Sequence, residues 1–315
     1  MSQKNILVTG GNGFIGSHLV NHLVNKNVRV VVPYLKVDKN SYFHKNNLHK
    51  KTIFVHLDLN NFEKTFKLIK KYKIDFIFHL AAFPLVEDAI KNPAKVFSNN
   101  IVTTLNVLEA ARRWHKIKGI LVTSSDKAYG KIKRARETDP IGGDHPYETS
   151  KAAADLIAQT YAKTFAMSVA VTRFGNVYGE GDLNFSRIVP SLMKSIITKK
   201  PLKIRSNGHY IRDYVYADDV VSACLKIATN VNNISGHVFN ISSRENLSVL
   251  QLVHLTEKIL NVHVKYEIMN SAVNEIPVQS VDFSKIRRKL GWTPNCTLEE
   301  AIPKTFRWYQ NYFNL

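Results

Sequence analysis

Tyr147 and Lys151 stand four residues apart, so a helix over this stretch sets both on one face. An ammonium beside a phenol stabilises the phenolate and lowers the tyrosine pKa towards working pH. That suits removal of a hydroxyl proton while a hydride leaves the same carbon. A tyrosine and lysine at this spacing are common by chance, and the upstream residues give the pair its weight. Leu121-Val122-Thr123-Ser124-Ser125-Asp126-Lys127 reads as a strand ending in a hydroxyl, a carboxylate and an amine. Parallel sheets place their active sites at such strand ends. A second chemical signal opens the chain: the buried-strand run Ile6-Leu7-Val8-Thr9 leads into Gly10-Gly11-Asn12-Gly13-Phe14-Ile15-Gly16 and then a helix. Glycines let the turn take positive φ and bring backbone N–H groups up to a pyrophosphate at the helix N-terminus. Between strand and helix, this spacing predicts a dinucleotide site, with Gly16 also serving close helix–strand packing.

The elements that must position these groups follow from periodicity. Strands are predicted at 5–9, 28–32, 52–57, 76–80, 119–124 and 169–174, and amphipathic helices at 15–25, 62–72, 94–113 and 147–165. Their alternation predicts an α/β fold, a doubly wound parallel sheet with helices on both faces. Residues 1–177 are expected to form the dinucleotide-binding domain. Residues 178–315, where Pro190, Pro201, Pro277 and Pro294 break shorter elements, form a smaller substrate-binding lobe interleaved with the first. The second strand ends in Val32-Pro33-Tyr34-Leu35-Lys36, without the acid that usually meets the adenosine ribose. NAD is therefore only modestly favoured over NADP, whose 2′-phosphate Lys36 could meet. Asp58, past the third strand, is placed either to approach the adenine or to cap a strand end.

Composition narrows the class. The chain has 315 residues, 44% of them hydrophobic, enough for a sizeable core. It holds no apolar run long enough for a transmembrane helix, and no cleavage-site pattern follows Met1, so neither a membrane span nor a signal peptide is expected. Cys224 and Cys296 make neither a disulfide framework nor a metal spacing, which suits the cytoplasm. The net charge of +19 is carried by scattered lysine pairs rather than basic runs with aromatic platforms, so no nucleic-acid partner is expected. His18 and His22 share a helix face without a third ligand nearby, so no metal is expected; His79 reads as a core histidine. The tail 308–313 reads as a helix packing aromatics on the small lobe.

Gly10, Gly13 and Gly16, the strand-end serine, and Tyr147 with Lys151 together resemble the extended short-chain dehydrogenase/reductase family. Further segments resemble it along nearly the whole chain. They are His79-Leu80-Ala81-Ala82, Asn100-Ile101-Val102-Thr103-Thr104, Arg173-Phe174-Gly175-Asn176-Val177-Tyr178-Gly179 and Arg212-Asp213-Tyr214-Val215-Tyr216-Ala217-Asp218-Asp219. Within the nucleotide-sugar epimerase/dehydratase branch, Ser125-Asp126-Lys127 is similar to the hydroxyl–Asp–Lys set of CDP-glucose 4,6-dehydratases. Pro84-Leu85-Val86, Gly142-Gly143 and 175–182 point the same way.

The resemblance implies a lyase converting a nucleotide-sugar to its 4-keto-6-deoxy form by internal hydride transfer through NAD. Tyr147 would take the 4-hydroxyl proton, Ser125 would bond the same oxygen, and Lys151 would hold the nicotinamide ribose and depress the Tyr147 pKa. Asp126, kept protonated by burial, would be the acid at O6, and Lys127 the base at C5. Gly10, Gly13, Phe14, Ile15, Gly16, Asp58, Leu59, Leu80, Ala81, Ala82, Asn100 and Phe174 would line the cofactor. Pro84, Asn176, Arg187 and Arg212 would meet the substrate, the arginines at its pyrophosphate. A 4-epimerase shares everything but the Asp–Lys pair and stays as the alternative; a non-catalytic cofactor-sensing protein is a remote one. A homodimer through helices 94–113 and 147–165 is expected, with Leu105, Leu108, Leu156 and Ile157 as surplus apolar residues.

Overall fold

The computed structural model describes residues 3–83, 86–271 and 276–314; Pro84 lies outside them. Thirteen strands are found among the described residues. Their ranges are β1 Lys4–Thr9, β2 Val28–Tyr34, β3 Ile53–His56, β4 Phe76–His79, β5 Gly119–Ser125, β6 Val169–Phe174, β7 Asn176–Tyr178, β8 Leu202–Ile204, β9 Ile211–Tyr216, β10 Val238–Ile241, β11 Asn246–Ser248, β12 Tyr266–Ile268 and β13 Val278–Gln279. Seven make one sheet in the order β10-β6-β5-β4-β1-β2-β3, and every pairing in it is parallel. The chain is α/β and doubly wound. The strand order reverses between β1 and β4, the crevice where such sheets bind their ligands.

Both faces of this sheet are covered, which is why its strands read as continuous apolar runs. Side chains alternate across β1: Ile6 and Val8 join one core with Leu19 and Val20 of helix Phe14–Val24, while Leu7 joins the other. That second core takes Leu68 and Ile69 from helix Phe62–Lys71, Val107 and Leu108 from helix Thr103–Trp114, and Ala158 and Tyr161 from helix Pro146–Phe165. The sheet's last strand, β10, comes from well past residue 178, and helix Ala217–Asn230 packs its Val220, Val221 and Cys224 into the first core.

The remaining strands form the smaller lobe. β9 is flanked by β11 and β13 and also pairs with β7, while β12 pairs with β8. A third core joins Leu192, Leu202, Tyr214, Leu252, Leu298 and Tyr309. Helix Leu298–Tyr312 carries the aromatic tail onto this lobe, opened by a reciprocal Thr297–Glu300 cap.

The stretch predicted as one helix over 94–113 is instead helix Pro93–Phe97, a π-helical turn Ser98–Val102 and helix Thr103–Trp114. Such wide turns accommodate an extra residue and recur at functional sites. Leu108 is fully buried and Ile157 packs against the second core, so neither is surplus apolar surface; Leu105 and Leu156 are exposed.

Candidate active site

At the end of β5, Ser125 caps the short turn Asp126–Tyr129, its hydroxyl accepting from the Lys127 N–H at 3.2 Å. The same hydroxyl donates to Asp126 Oδ1 at 3.0 Å. Asp126 is buried and its Oδ2 has no partner among the described residues. Burial pushes its pKa up, while Lys127, Ser125 and Arg212 pull it back. The arrangement is that of a carboxyl able to keep its proton and offer it to a ligand. Lys127 Nζ donates to Gln279 Oε1 at 3.1 Å.

Helix Pro146–Phe165 carries the tyrosine and lysine. Its N-cap is His145, whose Nδ1 accepts from the Tyr147 N–H at 3.2 Å. Burial pushes the Tyr147 phenol up, and Arg187 and then Ser125 pull it down. Lys151, expected to depress Tyr147, instead has its Nζ anchored on the Thr123 carbonyl at 2.6 Å. Burial lowers its pKa to about 8. The helix is fixed from behind by Asp155, which accepts from Arg173 Nε at 2.8 Å and Nη2 at 3.2 Å in a pair sealed from solvent. Arg173 also lies over the Tyr129 ring. This pair locks β6 to the helix that carries Tyr147 and Lys151.

The phosphate loop has the shape its glycines require. Gly10 sits at φ +68°, and a Cβ there would lie 2.7 Å from the Ala81 nitrogen; one at Gly16 would lie 2.1 Å from the Gly10 carbonyl oxygen. Helix Phe14–Val24 has no side-chain cap and no acid in its first turn, so its N-terminal N–H groups and positive dipole end are left for an anion. The cradle therefore fits the pyrophosphate of NAD.

Behind it, Thr104 donates to the Asn100 carbonyl at 2.7 Å, so its oxygen accepts from His79 Nε2 at 3.0 Å. His79 Nδ1 then accepts from Thr9, at 2.8 Å. His79 is a neutral core imidazole, pushed down to about 3 by burial and by Lys151.

One cavity of about 1720 Å³ runs from this cradle to the lobe. Gly10, Gly13, Phe14, Ile15, Gly16, Asp58, Leu59, Leu80, Ala81, Ala82 and Phe174 line it, as do Ser125, Asp126, Lys127, Tyr147, Lys151, Asn176, Arg187 and Arg212. Asn100, expected at the cofactor, does not line the cavity. Its side chain accepts from the Phe83 N–H at 2.7 Å and donates to Ser150 Oγ at 2.9 Å, bracing the β4 end against the helix of Tyr147 and Lys151. Asp58 lines the cavity while holding its own turn, accepting from the Asn60 N–H at 2.9 Å. On the lobe side, Arg187 pairs with buried Asp182 at 3.2 Å, and Asn176 presents a buried Nδ2 with no partner among the described residues.

Sequence reasoning missed His145, Glu148, Asp182 and Gln279. His145 lines the cavity, and its Nε2 is buried without a partner among the described residues. The usual cap signals are Ser, Thr, Asp and Asn, so a histidine before Pro146 passes unread. Asp182 carried a usable signal, an acid five residues before Arg187. Gln279 carried none, being 152 residues from Lys127. His18, considered as a ligand, meets Asp218 at 3.1 Å and the Glu180 carbonyl at 2.7 Å, tying the phosphate-loop helix to the lobe.

Residues 6–242 match the model of the NAD dependent epimerase/dehydratase family, and the chain belongs to that family. It is an enzyme of the dehydratase or epimerase kind, with NAD as its cofactor. It is 30% identical to a dTDP-glucose 4,6-dehydratase of Haemophilus influenzae, over 97% of each chain. It is 29% identical to a CDP-paratose 2-epimerase of Salmonella typhi, over 96% of this chain and 98% of that one. Its structure is similar to that of UDP-glucuronic acid 4-epimerase from Bacillus cereus with UDP-glucuronic acid and NAD. The TM-score is 0.89 and the identity 26%, over 98% and 99% of the chains. Among the described residues no helix is long and apolar enough to cross a membrane.

Proposed function

We propose that this chain is a nucleotide-sugar 4,6-dehydratase, with a CDP-glucose-like substrate as first choice. One observation carries the reading: Asp126 is a buried carboxyl with a raised pKa and an unpartnered Oδ2, beside the Ser125 hydroxyl and the Lys127 amine. Inverting C4 requires no acid at O6, whereas expelling the 6-hydroxyl does. The relatives named dTDP-glucose 4,6-dehydratase support the reaction class. The Ser125-Asp126-Lys127 set supports a CDP-sugar, as does a relative named for CDP-paratose.

In this reading Ser125 and Tyr147 grip O4, and Tyr147 receives its proton. Bound NAD would accept the hydride from C4 and return it at C6. Lys127 removes the C5 proton made acidic by the 4-ketone and, as the hydride reaches C6, returns to C5 one exchanged with solvent; Asp126 gives its proton to the departing hydroxyl. Gly10, Gly13 and Gly16 hold the cofactor pyrophosphate, and Arg187 and Arg212 the substrate's. The chain is further proposed to work in the cytoplasm as a homodimer. Two unbridged thiols support the first, and the exposed apolar residues Leu105, Leu156 and Phe165 the second.

CDP-, dTDP-, UDP- and GDP-glucose incubated in deuterated water test the reaction. A 4-keto-6-deoxy product labelled at C5 is expected, with the CDP-sugar fastest. A C4 epimer unlabelled at C5 would make the chain an epimerase. Asp126→Asn should still form reduced cofactor yet lose water about 10²–10⁴-fold more slowly, so that reduced cofactor accumulates.

A further inference from the structure

A lysine reaches its target on a flexible four-carbon stem, and a base must be held to within ~0.5 Å of its working position. Lys127 needs something to aim it. Its Nζ donates to Gln279 Oε1 at 3.1 Å, and Gln279 is only 3% exposed. Gln279 stands on β13 opposite Arg212 of β9, so the lobe that presents Arg212 also presents this amide.

The chain beyond Gln279 is stitched to the loop that follows the catalytic turn. Arg134 N–H donates to Ser280 Oγ at 3.2 Å, and Ala135 N–H to the Ser280 carbonyl at 3.1 Å. Asp282 N–H donates to the Ala135 carbonyl at 2.9 Å, and Val281 N–H to Asp213 Oδ2 at 2.9 Å. The amide is thus a fixed point. Its Nε2 is buried with no partner among the described residues, a cost that an apolar side chain of equal volume would avoid. The acceptor oxygen is what the position gains.

We propose that Gln279 is a positioning residue for Lys127, a neutral acceptor that aims the amine at the substrate's C5 without holding a proton on it. The inference rests on the dehydratase reading. A carboxylate at 279 would aim the amine equally well but favour the ammonium, and an apolar side chain would remove this acceptor. Titratable groups on the neighbouring elements also face Lys127. Among the described residues they include Asp126 on its own turn, and His145 and Glu148 at the start of the Tyr147 helix.

The test uses the NAD-loaded protein with whichever nucleotide-glucose turns over fastest, in single turnovers across pH. Reduced-cofactor formation and C5 deuterium uptake are followed together. Gln279→Glu should move the rise of C5 exchange to higher pH by about one unit, because the lysine must now lose its proton beside a carboxylate. Gln279→Met should slow C5 exchange at least about tenfold at every pH. In both variants reduced cofactor should form at close to the normal rate. Variants that lose thermal stability yet overlay the wild-type pH profile would reduce Gln279 to packing and overturn the proposal. Wild-type protein that forms reduced cofactor but takes up no C5 deuterium overturns the dehydratase reading, and this inference with it.

Discussion

Asp213 is sealed from solvent behind the site, its Oδ2 accepting from Ser242 at 2.6 Å and from the Val281 N–H at 2.9 Å. Its Oδ1 has no partner among the described residues. Burial pushes its pKa up to about 7, against the pull of the Ser242 and Val281 bonds. In the unfolded chain the group ionises near ~3.9. Between about pH 4 and pH 7 the unfolded state therefore holds fewer protons than the folded one. The stability from this group is complete below that window and falls as pH rises through it, by about 1.4 kcal/mol per pH unit. Asp213→Asn keeps an acceptor for Ser242 and Val281 but cannot ionise. Denaturant unfolding should show its stability gaining on the wild type from pH 4 to pH 7 and running parallel above. Parallel curves throughout would show that Asp213 is ionised in the folded protein. Ser125, Asp126, Tyr147 and Lys151 are legible because they cluster at one strand end and one helix turn. The orphaned Oδ2 of Asp126 and the Gln279 contact come from packing between distant segments and leave no local trace.

At the scale of elements, the phosphate loop leaves the least room. A Cβ at Gly16 would sit 2.1 Å from the Gly10 carbonyl oxygen, which is backbone and cannot swing aside. Gly16→Ala should thus push helix Phe14–Val24 away from β1 and open the cradle. Calorimetry should show NAD affinity falling by about 10²-fold or more, a positioning loss of the kind a displacement of ~1 Å produces. Unchanged affinity would mean that the helix start does not hold the cofactor. Six of the sheet's strands are legible from their apolar runs, because burial on both faces demands them. β10 is not: four residues carry too little pattern, and only pairing with β6 defines them. The division of the 94–113 stretch into two helices is also unreadable: Asn100, within the π-helical turn, bonds Phe83 and Ser150, contacts that leave no mark in the local pattern.

For the whole molecule, the open question is what covers the outer side of helices Thr103–Trp114 and Pro146–Phe165. Their inner sides are used: Val107, Leu108, Ala111, Ala158 and Ala162 all lie in the second core. On the outside, Leu105 is 40% exposed, Leu156 52% and Phe165 47%. A two-fold pairing of this face would bury each residue against its own copy or a neighbour's, the self-complementary arrangement of most homo-oligomers. Sedimentation at micromolar concentration should therefore give a dimer, and Leu156→Glu, which buries a charge at the centre of that face, a monomer. The chain's net charge of +19 supplies an independent check. Two such protomers repel one another, and salt screens that repulsion over roughly 8 Å at physiological ionic strength without weakening apolar burial. The dimer should tighten as salt is raised. A dimer that loosens with salt would be held by ion pairs instead, and a wild-type monomer would leave this face for some other cover.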